Sequence, residues 1–269
     1  MSDLDTLWTI GMTVASNIRE MYPDGGGGRP VGKGADGDWT KEIDQAAERA
    51  AMQFVESEDL DWNVISEEMG YVDRNGSKTL IFDPIDGTYN AINGFPFYST
   101  SLALKDETGD ISTGVVYDIP LNRCYHAVKG EGAFLDDRPI RTRRYVEADA
   151  VFSSFLDHGS MEENRKLLSL PRRGRYFGSI SLEVCFVARG ALDLFALFSR
   201  IPRITDIAAA HLILKEAGGE HLKISGDGAW SPYHPGEEED IRGIMAFGDP
   251  EAVSRMREIS GGRPPGEGV

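Results

Sequence analysis

The sequence predicts a mixed α/β fold in which layered sheets and helices share one cleft. Three observations carry that expectation. Two helical stripes of apolar residues open the chain, four strand-like segments follow between residues 96 and 136, and helices alternate with strands after about residue 145. No internal period of roughly 20–50 residues recurs, so a repeat architecture is excluded.

Residues 3–22 place Leu4, Leu7, Trp8, Ala15 and Ile18 on one helical face, closed by Met21 or Tyr22. PDGGGGRPVGKGADGD follows, with seven glycines between positions 25 and 37, and is expected to interrupt regular structure as a flexible flap. A second helix over about 40–57 gathers Ile43, Ala47, Ala50 and Phe54 on one side. WNVIS (62–66) and TLIFD (79–83) are short strands, and FYSTSLALK, STGVVYD, RCYHAVKG and GAFLDD form a meander with turn residues between them. Helices are expected over 160–169, 180–189, 206–217 and 249–259, with strands over 191–198, 220–224 and 242–247. The expected division is an N-terminal unit of residues 1–145, a C-terminal α/β lobe of 146–260, and a flexible tail at 261–269.

Composition narrows the function. Of the 269 residues 41% are hydrophobic and 27% charged, as in globular proteins, and the net charge of −16 argues against nucleic acid or anionic membrane as a partner. No apolar stretch reaches the roughly 18 residues a membrane span needs. The acidic start MSDLDTLW has no basic region, so no signal peptide is expected. Cys124 and Cys185 form no ligand or redox pattern, which suits a reducing cytoplasm.

The stretch LIFDPIDGTYN (80–90) runs an apolar strand into a turn carrying two aspartates. Asp83 is expected at the strand end and Asp86 on the turn, held close by the fixed φ of Pro84 and the permissive Gly87. Two like charges so placed are costly unless a proton or a cation lies between them. Other acids can join them. Glu67 and Glu68 follow the apolar run VIS, and Asp206 opens the apolar segment DIAAAHLILKEAGG. Singly, such residues are ordinarily a surface pair and a helix cap. Together Glu67, Asp83, Asp86 and Asp206, with the Ile85 carbonyl, make an all-oxygen set without His or Cys, which selects Mg²⁺ or Mn²⁺ over zinc or copper. Two such ions about 4 Å apart can clamp the attacking and leaving oxygens of a phosphoryl transfer. DPIDG lacks the ligand spacing of an EF-hand. GGRPVGKG (27–34) imitates a P-loop, but it has Gly34 where Ser or Thr is required and no strand before it; Lys33 is better suited to reach an anion from a closing flap.

With these motifs in hand, the chain resembles the inositol monophosphatase family of metal-dependent sugar-phosphate phosphatases. DPIDGTYN, the EE pair at 67–68 and TDIAAAHLILKEAGG match its signatures in order, and GKGADGDWTKEID, ISEEMG and DPIDGTYNA are similar to its archaeal branch. The resemblance implies an α-β-α-β-α sandwich hydrolysing fructose 1,6-bisphosphate and inositol 1-phosphate, with a homodimer the expected assembly. It implies that Glu67, Asp83 and the Ile85 carbonyl hold one Mg²⁺, that Asp83, Asp86 and Asp206 hold a second, and that a third ion sits beside Glu67. Thr88 would orient the attacking water with Asp44 as its acidic partner, and the Gly87 and Thr88 amides would meet the phosphate, with Asp86 and Ile180 as further substrate contacts.

One departure bears on substrate. Inositol-preferring members carry a glutamate seven residues before the last metal aspartate, where this chain has Ser199, with Arg200 and Arg203 nearby and Arg175 ahead of FGSISLE. Guanidinium groups suit a second phosphate, which favours a bisphosphate. The alternatives are a 3′(2′),5′-bisphosphate nucleotidase and a catalytically silent, polyanion-binding member. The second would have lost a ligand or the threonine, and neither is lost.

Overall fold

The computed structural model describes residues 1–35, 37–155, 161–169, 173–198, 202–226, 228–237 and 240–260. Helix α1 (Asp3–Met21) starts at a reciprocal cap, in which the Ser2 hydroxyl accepts the Asp5 amide and Asp5 accepts the Ser2 amide, both at 3.1 Å. The glycine-rich segment holds regular structure where an interruption was expected. It carries an antiparallel hairpin of β1 (Pro30–Lys33) and β2 (Trp39–Lys41), which runs directly into α2 (Glu42–Ser57).

Next come β3 (Asn63–Ser66), β4 (Gly70–Val72), β5 (Thr79–Asp86) and the short α3 (Thr88–Ile92). The meander follows as β6 (Ser99–Lys105), β7 (Ile111–Asp118), β8 (Arg123–Val128) and β9 (Gly132–Leu135), extended by β10 (Arg138–Ile140). These strands form one eight-stranded sheet in the order β10-β9-β8-β7-β6-β5-β3-β4, antiparallel except where β3 runs parallel to β5.

The rest of the chain supplies β11 (Val151–Phe155), α4 (Met161–Leu168), β12 (Arg173–Arg175), α5 (Ile180–Ala188), β13 (Leu194–Phe198) and α6 (Ile204–Glu216). It closes with β14 (Glu220–Ser225), β15 (Trp230–Pro232), β16 (Ile241–Phe247) and α7 (Pro250–Ser260). Its strands make a six-stranded sheet, β12-β11-β13-β16-β14-β15. The short strands β11, β12 and β15 were not expected. Two serines interrupt the apolar run of β11, and β12 is the polar tripeptide RGR, so neither shows a strand's alternation.

Strand alternation sorts the core into layers. Leu80 and Phe82 of β5, Leu102 and Leu104 of β6, and Val115 and Tyr117 of β7 pack with α1 and α2. Their neighbours Ile81, Ala103 and Val116 point the other way, onto α5 and α6. Phe195, Leu197, Ile244 and Ala246 of the second sheet meet the same helices from the far side, while Leu194, Phe198, Met245 and Phe247 pack with residues of α4 and α7. The result is the expected five-layer α-β-α-β-α sandwich. Each fully buried Leu, Ile or Phe contributes about 1.5–3 kcal/mol. Helix α6 is apolar on nearly every side because sheets cover both of its faces. It lies so close to β7 that a Cβ at Gly114 would stand 2.8 Å from the Ala209 carbonyl oxygen.

Candidate active site

The parallel pairing of β3 and β5 builds the centre of the site. Ser66 is registered with Phe82, so the next residues, Glu67 and Asp83, leave the same sheet edge side by side. The antiparallel neighbour β6 adds the second feature. Asp83 pairs with Ser101 and Asp86 with Ser99, so β5 spends three steps where β6 spends two. This bulge puts Asp83 and Asp86 on one face, whereas a regular strand would turn residues three apart to opposite faces. Asp86 is therefore the last residue of β5 rather than a turn residue, and the turn falls on Gly87. Gly87 has φ of +98°, and an added Cβ would lie 3.2 Å from the Gly178 and Phe97 carbonyl oxygens.

The first turn of α6 brings Asp206 to the same place; the helix begins at Ile204, two residues earlier than expected. Carboxylate oxygens of Glu67, Asp83 and Asp206 all lie within 4.8 Å of one another, with both aspartates buried and Glu67 half-buried. Burial pushes Asp83 well above the ordinary carboxylate range, and the Glu67 and Asp206 charges add to it. Glu67 is raised to about 8 by burial and then by Asp206, against the opposing Arg203 charge. The three cannot all ionise here without added positive charge. Their donors are hard oxygens without nitrogen or sulfur, a set suited to Mg²⁺ or a similar ion.

Asp86 differs. Its Oδ2 accepts the Ser179 hydroxyl at 2.7 Å, the Ser181 amide at 2.7 Å and the Ser181 hydroxyl at 2.5 Å, while Oδ1 accepts the Ile180 amide at 3.1 Å. Burial raises its pKa, and these donors at the start of α5 oppose the shift. The predicted substrate role for Ile180 needs correction. Its amide is committed to Asp86 and its side chain is buried in the core between the sheets.

Thr88 begins α3, and its Oγ1 lies 3.0 Å from both Asp44 Oδ1 and the Ile85 carbonyl oxygen. Asp44, in the first turn of α2, also accepts the Lys41 amide at 3.0 Å. Burial raises Asp44 to about 7, with those two hydrogen bonds opposing it. Asp44, Glu67, Asp83, Ile85, Asp86, Gly87, Thr88 and Asp206 line one cleft of about 400 Å³, a size usual for small-molecule sites.

The expected cations are less concentrated. Arg203 lines the cleft, but its guanidinium is engaged by Glu67 and Asp38. Arg175 is exposed on β12, donates to the Gly174 carbonyl and does not line the cleft. Lys33 stands on β1, away from the cleft wall, with its Nζ 5.9 Å from the Trp39 ring centroid. Ser199 and Arg200 lie outside the described residues. Sequence reasoning missed Lys41, Trp39 and Tyr89, which line the cleft, and Ser179 and Ser181, which hold Asp86. Lys41 could have been found from its place one turn before Asp44; nothing local to Ser179 or Ser181 announces a role.

The model of the inositol monophosphatase family matches residues 5–246. The fructose-1,6-bisphosphatase/inositol-1-monophosphatase of Methanocaldococcus jannaschii is 34% identical over 199 residues, covering 73% of this chain and 76% of that protein. The bifunctional NADP phosphatase/NAD kinase of Methanococcus maripaludis is 35% identical over 214 residues, covering 69% of this chain and 37% of that longer protein. A solved inositol monophosphatase–fructose 1,6-bisphosphatase has a TM-score of 0.82 at 28% identity, covering 96% of this chain and 100% of that one. Among the described residues, no helix is long and apolar enough to cross a membrane.

Proposed function

The chain belongs to the inositol monophosphatase family, and from that premise we propose that it converts fructose 1,6-bisphosphate to fructose 6-phosphate and inositol 1-phosphate to inositol. The class is that of its relatives, the phosphoric monoester hydrolases. The observation that carries the reading is the meeting, in one cleft, of three clustered carboxylates with the Thr88–Asp44 hydrogen bond.

In this reading Glu67, Asp83 and the Ile85 carbonyl hold one Mg²⁺, and Asp83, Asp86 and Asp206 hold a second. A third is held weakly beside Glu67, and Mn²⁺ can substitute. Bound there, the ions neutralise phosphoryl charge and activate water at neutral pH. Asp86 would offer Oδ1, which accepts the Ile180 amide alone, whereas three donors already occupy Oδ2. Thr88 aims the water for in-line attack on phosphorus, and Asp44, held near 7 by burial, is matched to take a proton at neutral pH. Lys41 and Arg203 are the cationic side chains on the cleft wall among the described residues, and we assign them the substrate's remaining negative charge.

A nucleotide substrate is the second reading. It is favoured by the NADP phosphatase relative and by Trp39 and Tyr89, which line the cleft while 60% and 73% exposed, as surfaces for stacking a base. Phosphate release should be measured side by side on fructose 1,6-bisphosphate, inositol 1-phosphate, 3′-phosphoadenosine 5′-phosphate and NADP, with Mg²⁺ and with chelator. Mg²⁺-dependent release from the first two, faster than from either nucleotide, is expected. Faster nucleotide hydrolysis would overturn the substrate assignment, and full activity in metal-free protein would overturn the metal assignment.

A further inference from the structure

Asn90 lies on α3, two residues after Thr88, and lines the cleft. Its side-chain Nδ2 donates to two carbonyl oxygens, that of Phe97 at 2.8 Å and that of Phe177 at 2.6 Å. The acceptors come from opposite halves of the chain, and the rings of the same two residues stack with centroids 4.6 Å apart. The amide therefore has one orientation. Turned over, it would set its own oxygen against two carbonyl oxygens with no proton between them. Both N–H bonds are spent inside the protein, and the oxygen is left over. No described residue donates to Oδ1, although the atom is not sealed from solvent and the residue is only half-buried.

The remaining oxygen has a direction. Phe97 and Phe177 do not line the cleft, so Nδ2 is drawn away from the cavity and Oδ1, on the other branch of the planar amide, is turned toward it. The backbone of Asn90 is fixed as well, its amide donating to the Gly87 carbonyl at 2.9 Å and its carbonyl accepting the Phe95 amide at 2.9 Å. Gly178 leaves the side chain its space, since a Cβ there would stand 3.2 Å from Nδ2. The cleft's carboxylates and cations are assigned to metal and phosphate. A neutral, immobile acceptor suits neither. It suits a neutral donor, and its position is already set before binding, so little ordering cost remains. We propose that Asn90 is a specificity-determining residue, whose Oδ1 accepts a hydrogen bond from a hydroxyl of a polyol or sugar phosphate. A substrate without that hydroxyl strips water from Oδ1 and returns nothing.

The inference rests on the proposed reading of the site as a phosphatase for hydroxylated esters. Steady-state kinetics with Mg²⁺ on inositol 1-phosphate and on p-nitrophenyl phosphate, whose leaving group carries no hydroxyl beyond the ester oxygen, separates the two. Asn90→Ala should lower kcat/KM for inositol 1-phosphate about tenfold more than for p-nitrophenyl phosphate. Asn90→Asp keeps an acceptor and loses the donors, so both rates should fall while their ratio stays near wild type. Equal proportional losses in Asn90→Ala are what a merely structural amide gives, and they overturn the acceptor role alone. So does an Asn90→Asp ratio that drops as far as that of Asn90→Ala. A second measurement needs no variant to fold. Among inositol 1-phosphates lacking one ring hydroxyl each, the wild type should hydrolyse at least one about tenfold less efficiently than the parent, and a series in which none loses more than about twofold overturns the role. A wild type that cleaves p-nitrophenyl phosphate but neither inositol 1-phosphate nor fructose 1,6-bisphosphate overturns the proposed substrates, and the role of Asn90 with them.

Discussion

Thr88 Oγ1 lies 3.0 Å from Asp44 Oδ1, tying the first residue of α3 to the first turn of α2 across the floor of the cleft. The hydroxyl has one proton and two acceptors at equal distance, Asp44 and the Ile85 carbonyl. Removing the hydroxyl should spare binding and damage turnover. Thr88→Ala is expected to lower kcat on the order of 10²-fold while KM and Mg²⁺ affinity stay near wild type. Asp44→Asn should act in the same direction, and the double variant should cost little more than either single change. Steady-state kinetics on all three variants checks this, and additive losses would separate the two residues.

Asp83 sits at the centre of the repulsion, buried between Glu67 and Asp206. Asp83→Asn should cost more than about tenfold in kcat/KM, because it is the ligand assigned to both ions. The same change should stabilise the metal-free protein by about 1 kcal/mol or more, since folding no longer has to keep a buried carboxyl protonated against its ordinary pKa. Thermal unfolding in chelator, run beside kinetics in Mg²⁺, shows whether the two effects have opposite signs.

Away from the cleft, His211 of α6 and His221 of β14 place their Nδ1 atoms 3.1 Å apart with rings stacked at 5.0 Å. Burial lowers His211 from 6.5 to about 4 and pushes His221 well below its ordinary value, each disfavouring the charged form. Between those values the unfolded chain binds protons that the folded chain does not. The stabilisation is therefore full above pH 6.5 and falls as pH drops toward 4. At 1.36 kcal/mol per unit, His211 alone should withdraw about 2 kcal/mol between pH 6.5 and about 5. Denaturant unfolding of wild type and His211→Phe across this range isolates the contribution. Parallel curves would show that the pair does not titrate with folding.

Gly114 lets α6 approach β7, and α6 carries Asp206. Gly114→Ala would press a methyl group against the Ala209 carbonyl oxygen at 2.8 Å and should cost about 1–3 kcal/mol by overpacking. Because the helix must shift to admit it, Mg²⁺ affinity should fall too. Chemical denaturation and calorimetry on one preparation test the link; lost stability with unchanged affinity would show that Asp206 is held independently of this packing.

Some of this was legible in the sequence because it is written locally. An apolar run ending in an acid identifies a strand edge, so Glu67 and Asp83 could be named together, whereas Thr88 is legible only through the family resemblance. What escaped depends on partners far along the chain. The bulge that re-aims Asp86 exists only in its pairing with Ser99 and Ser101 of β6. Arg203 reads as a cation awaiting phosphate until the fold brings it to Glu67 and Asp38. The strand Val151–Phe155 hides behind two serines that are buried in the fold, and Ser154 donates to the Ala196 carbonyl at 3.0 Å. A hydroxyl satisfied by a neighbouring strand is not polar in effect, but its one-letter code does not say so.

The place of α6 between the two sheets has a consequence for how the chain is made. The larger sheet is complete by Ile140, yet one of its faces, with Ile81, Ala103, Val116, Tyr125 and Ala127, is covered by α5 and by α6, which ends at Glu216. On the ribosome that face must wait, wet and apolar, while some 75 further residues are translated, a delay of several seconds. A chain stalled or cut in that interval presents a broad adhesive surface. The danger of clumping is thus concentrated in nascent and truncated chains, and it ends when Glu216 has emerged and α6 can dock.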